Sequence, residues 1–201
     1  MGNRTPLFDS HVALGAKLVD FGGWDMPVHY GSQLEEHHCV RASAGAFDVS
    51  HMTVIEVVGG KGIEFFDRLL ANDISRLTRP GQAMYSAMLN ELGGVLDDLI
   101  VYNTGDPYLV VVNCGTRLKD LAWMREVAQD FNCSIVERED LAIVAVQGPE
   151  AIGLTGPVLS NNQRQIIGEL KVFQGAWIDD WFIAKTGYTG ERGLEIILPN
   201  S

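Results

Sequence analysis

Between Met84 and Asn113 the chain runs through three apolar stretches, MYSAML, VLDDLIVY and YLVVVN, separated by NELGG and NTGDP. Stretches of this length, rich in β-branched and aromatic residues and punctuated by Gly, Asn and Pro, predict a three-stranded meander. Beyond it, Leu121, Met124, Ala128 and Phe131 recur at helical spacing and predict a helix over 117–130. Upstream, Ser32 and Glu35 form an S-x-x-E start signal for a helix that runs to about Arg41. GAFDVSHMTVIEVVGG follows as strand material, and the amphipathic stretch 63–71 predicts a helix ending at Asn72-Asp73. Residues 7–20 fit a short helix or a bent strand, and FGGWDMPVHYGS (21–32) reads as a loop. LAIVAVQGPEA predicts strand, Gly turn and helix start, a faint echo of VIEVVGGKGIEFF that leaves an internal strand–Gly–helix repeat open. WIDDWFIAKTG, the turn YTGERG and LEIILP close the pattern as a hairpin.

Meanders mixed with intervening helices, without a regular βαβ series, predict an α+β fold of mixed or antiparallel sheets with flanking helices. No Pro/Ser-rich linker marks a boundary. The length allows one large domain or two small ones; if there are two, the chain crosses between them near 51 and 140, giving a discontinuous first domain, 1–50 and 140–201, and a second α+β domain with the meander, 51–139.

Inside VLDDLIVY two adjacent carboxylates interrupt an apolar strand, where an ionised carboxylate is costly unless it is paired, hydrated or used. Neighbouring side chains on a strand point to opposite faces. Asp98 therefore shares a face with Leu96, Ile100 and Tyr102, and Asp97 with Val95, Leu99 and Val101. The two cannot act as one acid/base dyad. On these residues alone, a pocket carboxylate and a pair of aspartates at a sheet edge both remain open.

Composition narrows the field. The formal charge is −11, from 15 Lys+Arg against 26 Asp+Glu. That excludes the basic footprint a nucleic-acid partner needs. No apolar run approaches the ~18 residues of a membrane span, and the N-terminus lacks a signal-peptide core. MGNRTP begins like an acylation sequence but holds Pro6 where Ser or Thr is required. Cys39, Cys114 and Cys133 are widely spaced and form no CxxC pair, which fits reduced thiols and a cytoplasmic location better than disulfides or zinc.

The remaining constellations favour structure. His37, His38 and Cys39 diverge by about 100° per residue on a helix and do not converge on one metal ion. Asp48, Ser50 and His51 are triad residue types without a nucleophile elbow around Ser50. TGYTGERGLE is neither GxGxxG nor a Walker loop and reads as a Gly-rich hairpin turn, although Tyr188 and Glu195 stand beside it. Asn113 is a polar group ending an apolar strand.

TPLFDSHVALGAKLVDFGGWDMPVHYGS, FDVSHM, LLANDI, MLNELGGVLDDLIVYN, VVNCGTRLKD, VAVQGP and KTGYTGERGLEI occur in that order. With these motifs, essentially the whole chain resembles the aminomethyltransferases of the glycine cleavage system, the T proteins. The resemblance implies two intertwined subdomains of the folate-binding T-protein fold, with the family's C-terminal barrel domain and its folate-holding arginines absent. It implies transfer of the one-carbon unit of an aminomethyl group from the lipoyl arm of the partner H protein to tetrahydrofolate. Ammonia is released and 5,10-methylenetetrahydrofolate formed, with the folate in a central channel between the domains and no metal. By motif position, Asp98 is the catalytic acid. Folate contacts fall on Met52, Tyr85, Asp98, Tyr102, Asn113, Tyr188 and Glu195, and Asp97 is structural. The stretch alone is expected to be inactive. Another folate-dependent demethylase or methylene transferase of the same fold, and a non-catalytic folate-binding module, remain as alternatives.

Overall fold

Antiparallel pairing organises the chain in the computed structural model, which describes residues 2–200, so readings of Met1 and Ser201 lie outside it. In chain order the elements are α1 (Phe8–Ala13), β1 (Lys17–Phe21), β2 (Trp24–His29), α2 (Gln33–Ala42), β3 (Gly45–Asp48), β4 (Thr53–Val58), α3 (Gly62–Leu69), β5 (Ala83–Leu89), β6 (Val95–Tyr102) and β7 (Tyr108–Val112). They continue as α4 (Arg117–Ala128), β8 (Ser134–Glu137), β9 (Leu141–Gln147), α5 (Ala151–Thr155), α6 (Asn161–Glu169), β10 (Gly175–Ile178), β11 (Trp181–Ala184) and β12 (Gly193–Pro199). This is an α+β architecture.

The chain divides into two compact units. One comprises 1–51, 140–172 and 176–201; the other comprises 52–139 and 173–175. In the second unit the sheet order is β5-β6-β7-β4-β8, every pair antiparallel. Its core lies between one face of this sheet and the helices α3 and α4. Ile55, Val57, Leu99, Val101, Val110 and Val112 meet Phe65, Phe66, Leu69, Leu121, Met124 and Val127 there. The β4–α3 turn depends on Gly60, at φ 64, where an added Cβ would stand 2.4 Å from the Asn132 carbonyl oxygen. No L-residue with a side chain fits that approach.

The first unit contains the sheet β10-β11-β12-β9-β3 and the separate hairpin β1-β2. A cluster of Leu159, Ile167, Ile178, Ile183, Leu194 and Ile196 forms its core beside α6. Among the described residues no helix is long and apolar enough to cross a membrane.

The three-stranded meander and the helix after it form as the pattern predicts. Residues 7–20 resolve into both a helix and a strand. The expected loop at 21–32 is instead mostly strand: Gly22 and Gly23, at φ 59 and 87, turn the chain so that β2 pairs back onto β1. Aromatic and β-branched residues after the glycines supply the strand; the Gly and Pro punctuation concealed it. GAFDVSHMTVIEVVGG splits into β3 and β4, which enter different sheets. Two elements went unread. β8 is only four residues long. α6 is short and polar, yet starts with a full capping box: Ser160 Oγ accepts from Gln163 N at 3.1 Å, and Gln163 Oε1 accepts from Ser160 N at 2.9 Å. At α2 the box is only half formed. Ser32 Oγ accepts from Glu35 N, while it is Glu36 that takes the Tyr30 N–H, at 2.7 Å.

Phe66 is fully buried in the second unit's core. Phe66→Ala should cost about 3–5 kcal/mol through lost transfer energy and the cavity left behind. Urea denaturation followed by fluorescence measures this, and a loss under about 1 kcal/mol would mean that the α3–sheet packing is wrong.

Candidate functional site

β6 pairs with β7 over Leu99–Tyr102 and with β5 through Asp98 and Asp97, which fixes where the two aspartates point; past them a register shift breaks the expected alternation, so that Leu96 packs on the core and Val95 is exposed. Leu99 and Val101 face the core, and Asp97 lies on their face, beneath α4. Asp98 projects from the opposite face. There the Tyr85 hydroxyl donates to Asp98 Oδ2 at 2.9 Å from the neighbouring strand. Donation to a carboxylate favours the protonated phenol and raises the Tyr85 pKa. Tyr85 is half-exposed, and its ring borders open solvent.

The strand register brings two further expected residues to the same level. Thr53, Val112 and Leu99 are paired across β4, β7 and β6. At the next level of these antiparallel strands stand Met52, just before Thr53, Asn113, just after Val112, and Asp98, just before Leu99. Asn113 Nδ2 bridges both aspartates, 3.0 Å from Asp97 Oδ1 and 3.1 Å from the Asp98 carbonyl oxygen. Tyr102 differs from expectation. Its side chain is 1% exposed, in the interior and not on an open wall. A strand pattern tells which face a residue occupies but not whether that face is covered at that point.

Tyr188 and Glu195 belong to the other unit. Tyr188 is exposed on the β11–β12 turn, and Glu195, on β12, accepts a short hydrogen bond from Thr186 Oγ1.

Asp97 carries the denser network. Its Oδ2 accepts from Thr116 Oγ1 at 2.7 Å while Oδ1 holds Asn113. Burial pushes its pKa up, but hydrogen bonds from Thr116, Asp120 and Asn113 outweigh burial, and the net shift is downward. Asp120, missed by sequence reasoning, is fully buried on α4. Its signal was present: Asp120, Met124 and Ala128 recur every four residues, which places a carboxylate on a core-facing helical stripe.

The first unit holds a second polar cluster that the sequence did not reveal. His11 Nε2 lies 2.9 Å from Asp48 Oδ2, and the Tyr30 hydroxyl lies 2.7 Å from His11 Nδ1. Asp48 Oδ1 accepts from Ser50 N at 3.0 Å. Burial pushes the Asp48 pKa up, yet hydrogen bonds with Thr5, Ser50 and His11 bring it below the ordinary value. Tyr30 and Asp48 border a cavity of about 280 Å³ that Met26, Val40 and Phe47 also line. Ser50 Oγ is engaged with the backbone of Ile143. The His37 and His38 rings pack edge to face, 5.6 Å apart. All three cysteines are free, and burial raises the pKa of Cys114 and Cys133. Among the described residues no group of three His, Cys, Asp or Glu side chains is arranged to hold a metal ion.

The model of the GCVT N-terminal domain family matches residues 7–201. An aminomethyltransferase of Pseudomonas syringae pv. tomato is 57% identical over 199 residues, covering 99% of this chain and 55% of that protein. One from Alcanivorax borkumensis is 53% identical over 201 residues, covering 100% of this chain and 56% of its own length. The chain thus spans about half the length of the curated relatives it matches. The crystal structure of glycine cleavage system aminomethyltransferase T from Bartonella henselae superposes with a TM-score of 0.90 at 39% identity, covering 100% of this chain and 54% of that one. A heterotetrameric sarcosine oxidase from Corynebacterium shares the fold at a TM-score of 0.56 and 14% identity, covering 98% of this chain and 87% of that one.

Thr116→Val removes one charge-assisted donor to Asp97 and should cost about 1–2 kcal/mol at pH 7, the lower range for a partly exposed pair. Because the folded-state pKa of Asp97 is depressed, this stability is present above the unfolded carboxylate range and lost as pH falls through the folded value. Urea denaturation of the variant and the parent should therefore converge below about pH 4. An undiminished gap in acid would show that the bond to ionised Asp97 is not its source.

Proposed function

This chain belongs to the GCVT N-terminal domain family, and from that premise we propose that it supplies the folate-side chemistry of an aminomethyltransferase. The proposed reaction takes an aminomethyl group from the lipoyl arm of H protein, releases ammonia, and passes the one-carbon unit to tetrahydrofolate as 5,10-methylenetetrahydrofolate. The observation that carries this reading is Asp98, a carboxylate displayed on the solvent-side face of a central strand and oriented by Tyr85.

The chemistry asks for such a group. Departure of ammonia from an aminomethyl thioether leaves an electron-poor carbon with cationic character, which a folate nitrogen then attacks. A fixed carboxylate stabilises that developing charge better than water, because its orientation needs no reorganisation during the reaction. Within hydrogen-bond reach, it also accepts or orients the proton of the attacking nitrogen. In this reading the Tyr85 hydroxyl keeps Asp98 in one rotamer, and Asn113 holds the backbone at Asp98 in place. Met52 contributes an apolar contact beside Asn113. Tyr102, being buried, backs this wall from within. Tyr188 and Glu195 are assigned to folate contact by their motif positions.

In a protein of the relatives' full length, Asp98→Asn should lower the rate of aminomethyl transfer by at least about 10²-fold while folate affinity falls much less. Asp97→Asn should be far milder. Single-turnover assays with aminomethylated H protein, paired with folate titrations, test both. Equal rate losses in the two variants would refute the assignment of Asp98, and folate binding without turnover in the parent protein would favour a non-catalytic module.

A further inference from the structure

Asp120 is fully buried, and neither of its carboxyl oxygens has a partner at hydrogen-bond geometry. It stands one helical turn after Thr116, its own N–H donating to the Thr116 carbonyl at 2.9 Å. The neighbouring carboxylate is Asp97, whose two oxygens are already engaged by Asn113 and Thr116. An ionised carboxylate buried without a donor and next to a second carboxylate is strongly disfavoured. A proton removes both problems, since a neutral carboxyl is itself a donor and Asp97 is an acceptor with lone pairs to spare.

We propose that Asp120 is held as the neutral acid and donates to ionised Asp97, so that the pair carries one negative charge and acts as a positioning unit behind the Asp98 face. The proton ties α4 to β6 through Asp97, and Asn113 links the same carboxylate to the Asp98 backbone. Asp120 is therefore a positioning residue with no contact to the reacting atoms. Its importance for the reaction rests on the reading of Asp98 given above, whereas the shared proton does not.

The surrounding charges agree. Burial is the largest influence on Asp120, followed by its hydrogen bond with Asp97; the Thr116 hydroxyl, directed at Asp97 Oδ2, offsets part of this, the charge of Asp97 adds to it, and the pKa is pushed up to about 7. Lys119, on the same helix, opposes this, but its ammonium is engaged with the Leu96 carbonyl at 2.5 Å. Arg117 is paired with Glu137 of β8 and with Glu139. On α3, which packs against α4, Arg68 is paired with Glu91. None of these cations pairs with the Asp120 carboxyl.

A raised carboxyl pKa gives stability that is complete below the unfolded value and lost as pH rises through the folded value. Thermal unfolding of the chain should thus show a midpoint that declines between about pH 4 and pH 7 and levels off above. Asp120→Asn, which keeps the shape and the donor but cannot ionise, should lack this decline and match or exceed the parent at pH 8. Asp120→Ala should be destabilised at every pH. Carbon-13 NMR of aspartate-labelled chain should find one carboxyl titrating near pH 7, absent in Asp120→Asn and moved to lower pH in Asp97→Asn. All carboxyls titrating below about pH 5, or a decline unchanged in Asp120→Asn, would overturn the proposal. Either result leaves the role of Asp98 standing, because these measurements involve neither folate nor aminomethyl donor.

Discussion

The double pairing of β6 is the constraint on which the second unit turns. Held by β5 on one side and, over Leu99–Tyr102, by β7 on the other, this part of β6 resists slipping, and a slip of one residue would exchange its two faces. Leu99 and Val101 hold the register by filling the core under α3 and α4, where both are almost completely buried. Asp97 is drawn to that same side and Asp98 is left on the other. Two adjacent identical residues thereby acquire unrelated environments.

The two environments are chemically distinct. On the core side, hydroxyl, amide and carboxyl groups converge on Asp97 and hold its charge within the fold. On the other side, half-buried Asp98 takes the Tyr85 hydroxyl at Oδ2 and a longer contact of 3.5 Å from Asn113 Nδ2 at Oδ1. A group that meets a reactive carbon needs accessibility, and a group that fastens a helix to a sheet needs enclosure. Asn113 spans the divide, its amide donating to the Asp97 carboxylate and to the Asp98 carbonyl, with a longer contact to the Asp98 carboxylate. The proposed catalytic carboxylate therefore depends on a structural one for its placement.

The first unit solves a related problem with different groups. Its Asp48–His11–Tyr30 chain is assembled from residues far apart in sequence, joining the end of β3 to the last turn of α1. Asp48 is satisfied by backbone, hydroxyl and imidazole donors together, which is how a carboxylate persists at a buried position. Local punctuation could not announce that cluster, since its contacts join residues 19 and 37 positions apart in the chain.

What the sequence by itself determined follows from short-range physics. The apolar stretches and turn residues of 84–113 specified three consecutive strands, and the helical spacing after them specified α4, because neighbours along the chain decide those outcomes. The opposition of Asp97 and Asp98 was legible for the same reason: alternation is a property of one strand. Tertiary structure decided the rest. Whether FGGWDMPVH was a loop or a strand depended on β1 lying beside it, and the burial of Tyr102 depended on what covers its face. That Asp120 meets Asp97, and that His11 meets Asp48, required helices and strands to be packed, since hydrogen bonds across 23 and 37 residues of chain leave no local trace.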